Sequence, residues 1–104
     1  MARNRKKNKR LPPIHPGEIL REEFLKPMKM PASELAAALR VPVARINDLV
    51  DERRGMTADM ALRLSRYFGT TAKFWLNLQV SYELEVTEDR LGDTVFREIL
   101  PRPA

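Results

Sequence analysis

ASELAAALRVPVARINDLVD, residues 32 to 51, carries two short apolar stripes that one straight helix cannot hold, because Pro42 falls between them. In the first half Leu35, Ala36 and Leu39 recur at i, i+1 and i+4, on one face of a helix of about two turns. Val41 then seals the turn. Ile46, Leu49 and Val50, at i, i+3 and i+4, likewise share one face in the second half, leaving Ala44, Arg45, Asn47, Asp48 and Asp51 on the outward side. Ala36 supplies the small side chain that two helices need where they cross over a short turn; a leucine there would hold their axes apart. The pattern predicts a helix-turn-helix. From these residues alone a helical hairpin packed only for its core is an equal reading, so the neighbouring sequence has to decide.

Working outward, only helices are predicted. A first helix begins at His15-Pro16-Gly17-Glu18, where Pro16 suits the first helical position and Glu18, Glu22 and Glu23 favour the positive N-terminal end. Ile19, Leu20, Phe24 and Leu25 form its stripe, and it is expected to stop near Lys26-Pro27. Beyond the central motif, Thr57 is a candidate N-cap and Asp59 a first-turn acid for a helix through Ala61, Leu62, Leu64 and Phe68 to Gly69. Thr71 caps the next, whose stripe is Phe74, Trp75, Leu78 and Tyr82 and which is expected to end at about Leu84. Val95, Phe96, Ile99 and Leu100 suggest one or two further amphipathic turns before Pro101 and Pro103.

Charge divides the chain unevenly. Residues 1 to 10 hold six basic residues and no acid, so the net charge of +5 over 104 residues leaves the rest at −1, with 13 basic against 14 acidic residues. Residues 1–13 therefore read as a flexible basic arm, either a solvated leader or a source of phosphate or minor-groove contacts beside a DNA reader. With no cysteine there is no disulfide framework or thiolate metal site, which agrees with a cytoplasmic location. No apolar run approaches the roughly 18 residues of a membrane span, and no apolar stretch follows the basic residues as in a signal peptide. A folding unit of about 90 residues buries only a modest core, which a dimer interface would reinforce.

Several segments together carry a family resemblance: HPGEILREEFL (residues 15–25), ELAAALRV (34–41), RIN (45–47), TADMALRLSRYFGT (57–70), FWLNLQ (74–79) and YELEV (82–86). In order and spacing the chain resembles HigA-type antitoxins of the Xre, or lambda-repressor-like, helix-turn-helix family. The helix-turn-helix alone would imply only some Xre-type regulator; the HPGEIL opening combined with FWLNLQ is more restrictive. The resemblance implies an all-α, five-helix repressor-like domain over residues 14–86, with residues 87–104 as a C-terminal extension for dimer or partner contact. It also implies a homodimer that binds double-stranded operator DNA in its own promoter and neutralises a HigB-type ribonuclease toxin. The alternative is a stand-alone Xre-family regulator with no toxin partner.

The reading segment departs from that family pattern in three places. Pro31-Ala32 replaces a Ser-Gln type helix start, Arg40 stands where glycine is usual at the turn, and Asp51-Glu52 replaces Asn-Gly after the second helix. Similarity to repressors places Val43, Ala44, Arg45 and Asp48 where base-edge contacts arise. A guanidinium can make two hydrogen bonds to guanine O6 and N7, worth about 1–3 kcal/mol of discrimination, so Arg45 is the leading candidate; otherwise it clamps a phosphate. Val43 and Ala44 offer apolar contact to thymine methyls or simply start the helix. Asn47 suits adenine or the DNA backbone. Asp48 would accept from cytosine N4, orient Arg45 or remain solvated, and Arg53 and Arg54 are positioned to hold phosphates.

At the C-terminal end Trp75, Tyr82, Val95 and Phe96 are candidates for dimer or partner contact, against the alternative that the aromatic stripe is core. Residues 70 to 104 have 4 basic and 6 acidic residues, a balance suited to a basic partner. An enzyme is not indicated. The one histidine, His15, sits at a helix start where capping or packing is its expected use, adjacent carboxylates such as Glu22-Glu23 point apart on a helix, and no metal site or cofactor is implied.

Overall fold

Each proline and threonine singled out above marks a helix boundary except Pro27. A computed structural model describes residues 11–103, and the basic arm at residues 1–10 lies outside them. Helix α1 is continuous through three segments, α-helical Pro16–Ile19, π-helical Leu20–Leu25 and α-helical Lys26–Met28. It is followed by α2 (Ala32–Leu39), α3 (Val43–Val50), α4 (Ala58–Phe68) and α5 (Ala72–Glu98). There is no strand among the described residues, and the all-α, five-helix expectation holds.

The predicted caps form as hydrogen bonds. His15 Nδ1 accepts from Gly17 N–H at 2.9 Å with Pro16 behind it, Thr57 Oγ1 accepts from Met60 N–H at 3.2 Å, and Thr71 Oγ1 accepts from Phe74 N–H at 3.0 Å. Gly69 ends α4 in the left-handed region at φ 79°. The stop expected at Lys26-Pro27 does not occur. Lys26 N–H reaches the carbonyl of Arg21, five residues back. Such a widened turn takes the carbonyl four residues back out of the path of the proline ring, so the helix continues to Met28.

Two further boundaries differ from expectation. Pro31, part of the Pro31-Ala32 pair that replaces the Ser-Gln type start, is the N-cap of α2, one step before a first-turn position and with no side-chain cap; its carbonyl receives Glu34 and Leu35 N–H at 3.1 and 3.2 Å. The final helix does not stop at Leu84. It runs 27 residues to Glu98, about 40 Å, and crosses the 86/87 boundary without a break, since the intervening Glu, Leu and Arg residues favour helix and proline appears only at 101.

The core is where the two stripes meet the flanking helices. Leu20, Leu35, Ile46, Leu64 and Trp75 are fully enclosed, and Ala36 is buried between α2 and its neighbours. Val41 packs on this core from the turn, and its N–H closes on the Ala36 carbonyl at 3.1 Å. Arg40 and Glu52 adopt the left-handed backbone that glycine favours, with φ of 60° and 63°. The turns thus keep their geometry, and each non-glycine residue there bears a steric cost of about 1–2 kcal/mol.

Candidate nucleic-acid interface

α3 is seated by its buried face, and its C-terminal end and the loop that follows are held from two helices, α1 and α5. On the α1 side Gly17 lies so close to Leu49 that a Cβ there would stand 1.8 Å from the Leu49 carbonyl oxygen. Only a residue without a side chain lets α1 meet the α3 backbone at this distance. Arg21, also on α1, donates through Nη1 to the Val50 carbonyl, an otherwise orphaned acceptor at the end of α3, and lies 3.4 Å from Glu52. From α5, Gln79 Oε1 accepts from Met56 N–H at 2.6 Å while Gln79 Nε2 donates to Glu83 at 2.8 Å. These holding residues were not singled out from the sequence; FWLNLQ was noted only as a family segment.

His15 completes the loop's support. Its ring packs edge-on to Tyr82, with centroids 4.8 Å apart. Because Nδ1 accepts the Gly17 N–H, the ring proton belongs on Nε2. Burial pushes its pKa below the usual histidine value, against the opposing influence of Glu52 and the Arg54 backbone, and Arg21 adds to the lowering. The sole histidine is therefore a neutral cap and packing group.

With α3 anchored in this way, Val43, Ala44 and Asn47 are exposed and Arg45 and Asp48 are half-buried at the edge of the same open face. The charged residues are paired with one another. Asp48 accepts from Arg53 Nη2 at 3.0 Å and lies 3.3 Å from Arg54 Nε, while Arg53 Nη1 reaches Asp51 at 3.0 Å. The hydrogen bond that Arg53 donates to Asp48 holds the guanidinium above the usual arginine pKa. Asp48 thus does not orient Arg45. Arg45 Nη2 instead donates to Asp59 Oδ2 at 3.0 Å, and Asp59 also receives Arg63. Hydrogen bonds from Arg45 and then Arg63 hold the Asp59 carboxyl below its usual range. Asp48, Asp51 and Glu52, whose charge alone would oppose phosphate, each lie beside an arginine.

The C-terminal candidates separate by exposure. Trp75 is completely enclosed, its Nε1 donating to Thr70 Oγ1 at 2.8 Å, so its side chain has no surface to offer a partner; this corrects its assignment as a contact residue. Tyr82 is half-buried against His15. Val95 and Phe96 are 52% and 59% exposed. Val80 and Leu84, not selected from the sequence, are exposed as well, and with Leu91 and Val95 they follow i, i+4, i+11 and i+15 along one face of α5.

This arrangement, a short helix and turn presenting an exposed second helix with cations at its rim, defines a repressor-like helix-turn-helix domain. No family model matches the chain. Virulence-associated protein I of Dichelobacter nodosus is 60% identical over 78 residues, 75% of this chain and 72% of that protein. Antitoxin HigA-1 of Vibrio cholerae is 36% identical over 78 residues, 75% of this chain and 73% of its own. The antitoxin HigA of Pseudomonas aeruginosa, solved with the higBA promoter, superposes with a TM-score of 0.85 at 49% identity, covering 88% of this chain and 99% of that one. The chain belongs to the family of HigA-type antitoxins and Xre-like helix-turn-helix transcriptional regulators.

Proposed function

We propose that this chain acts in the cytoplasm as a dimeric repressor that binds its own operator and neutralises a ribonuclease toxin encoded beside it. The observation that carries this reading is the open face of α3, with Val43, Ala44, Arg45 and Asn47 outward, in a chain nearly half identical to an antitoxin solved with promoter DNA. Arg45 is assigned a guanine contact, Val43 and Ala44 thymine methyls, and Asn47 an adenine or the backbone. Arg53 and Arg54 are assigned phosphates. Their existing pairs with Asp48 and Asp51 are on the surface, where such pairs contribute little and yield readily to a phosphate.

The exposed seam of Val80, Leu84, Leu91 and Val95 on α5 supports a homodimer whose two α3 helices would stand about 34–36 Å apart, one DNA turn. Tyr82 and Phe96 flank that seam and serve the same contact or the toxin. No catalytic or cofactor role is assigned; the only histidine is committed to its cap.

The test is a gel-shift series on the promoter and on random DNA. Arg45→Ala is expected to lose preference for the promoter, and equal loss on both DNAs would make Arg45 a phosphate contact. Co-purification of the adjacent gene product is expected for an antitoxin. A chain that binds its promoter but retains no such partner is a stand-alone regulator.

A further inference from the structure

Arg45 stands on an exposed helix face, where a long, flexible side chain would ordinarily sample many directions. Here its direction is set from outside α3. Its Nη2 donates to Asp59 Oδ2 at 3.0 Å. Asp59, in the first turn of α4, receives Arg63 Nε at 3.1 Å on Oδ1 and 3.2 Å on Oδ2, and Arg63 Nη1 donates to the Leu39 carbonyl at 2.7 Å. One continuous set of hydrogen bonds therefore runs from the last residue of α2, through α4, to the leading cation of α3.

We propose that Asp59 is a positioning residue for DNA recognition, holding the Arg45 guanidinium ready for a base and thereby determining specificity at the base pair Arg45 reads. The inference rests on the base-reading role given to Arg45. Binding Asp59 occupies one of five N–H donors, so a two-bond contact to guanine remains geometrically open. Ordering the side chain beforehand removes part of the entropy that binding would otherwise cost. Two arginines around one carboxylate leave this cluster with a net positive charge, so Asp59 does not repel phosphate as an isolated acid would. A first-turn acid also favours the N-terminal end of α4, but that role affects stability and not the choice of base.

The experiment uses the full chain with Asp59→Asn and Asp59→Ala, each alone and combined with Arg45→Ala, titrated against promoter and random DNA. Asp59→Asn should lower the promoter-over-random ratio about five- to tenfold, a part of what Arg45→Ala costs, and should have no further effect on the ratio when Arg45 is absent. In the free protein, ¹⁵N relaxation of Arg45 Nε should change from ordered to mobile in both Asp59 variants, a readout that a helix-end role does not move. An unchanged ratio, a tighter complex with the promoter, or an Arg45 side chain equally mobile with and without Asp59 overturns the proposal. If Arg45→Ala itself reduces promoter and random binding equally, the base-reading role fails and this inference with it. If Arg45→Ala loses specificity while Asp59→Asn does not, only the inference fails.

Discussion

Gly17→Ala tests whether the reading helix is positioned by a contact that only glycine permits. The added Cβ would lie 1.8 Å from the Leu49 carbonyl oxygen and 2.8 Å from its carbon, whereas close C···O contacts run at about 3.3 Å. The gap between α1 and α3 must therefore open by about 1.5 Å. Both obstructing atoms are backbone, so no change of rotamer relieves them. Opening the gap partly exposes Leu20 and Leu49, of which each is worth about 1.5–3 kcal/mol when fully buried, and overpacking adds about 1–3 kcal/mol. Alanine returns about 1 kcal/mol through its better helix propensity. With half of one leucine's burial lost, the net destabilisation is about 2 kcal/mol, or a fall in Tm of about 8–16 °C for a domain of this size. The assay is thermal unfolding by circular dichroism, paired with promoter binding well below both transitions. A Tm unchanged within about 2 °C, together with unchanged promoter affinity, would refute the seating of α3 on Gly17.

Arg40→Gly should stabilise the chain by about 0.5–1 kcal/mol, the relief of a left-handed non-glycine residue less the extra freedom of the unfolded chain, read as a higher denaturant midpoint with an unchanged slope. Gly69→Ala should act in the opposite sense by about 1 kcal/mol, because nothing lies within 4 Å of an added Cβ and only the φ of 79° opposes it. For His15, the lowered pKa means that the unfolded chain takes up the proton first. Stability is therefore full above the unfolded value of 6.5 and declines as the pH falls below it; His15→Asn, which keeps a capping oxygen, should flatten that decline. Asp48→Asn should free Arg54 and leave Arg53 on Asp51 alone, strengthening binding to random DNA and steepening its salt dependence by about one phosphate equivalent, as measured by titration at several salt concentrations.

What could be read from the sequence was whatever depends on local spacing. The stripes flanking Pro42, the caps at Thr57 and Thr71 and the stop at Gly69 follow from periodicity and from hydrogen bonds within a few residues, and each forms as expected. Pro27 misled because a change of helical register four or five residues earlier, invisible in residue type, removes the clash that makes proline a stop. The early end assigned to α5 misled for a related reason: the apolar stripe turns outward after Tyr82 while helix propensity continues, so loss of a core-facing pattern was mistaken for loss of helix. That outward turn is the strongest physical argument for a partner, since among the described residues Val80, Leu84, Leu91 and Val95 leave apolar surface exposed along one face of α5.

The charge pattern of the candidate interface could be read only in part, because several of its partners are distant in sequence, whereas Arg53 and Arg54 pair locally with Asp48 and Asp51. Arg45 and Asp59 are 14 residues apart, Arg63 and Leu39 are 24 apart, and Arg21 reaches the end of α3 across 29 residues. Counting Asp48, Asp51 and Glu52 along the chain suggests a surface hostile to phosphate. Folded, those carboxylates face Arg53, Arg54 and Arg21, and Asp59 lies between Arg45 and Arg63. On the proposed function, DNA binding at such a surface would be an exchange of partners, with phosphate replacing carboxylate on Arg53 and Arg54. The acids left behind face solvent at the rim, and the affinity gained per arginine is smaller than for an unpaired one. On that reading specificity depends less on the number of cations than on which of them keep a fixed direction when the phosphates arrive, and Arg45, the one cation of α3, is held from a different helix.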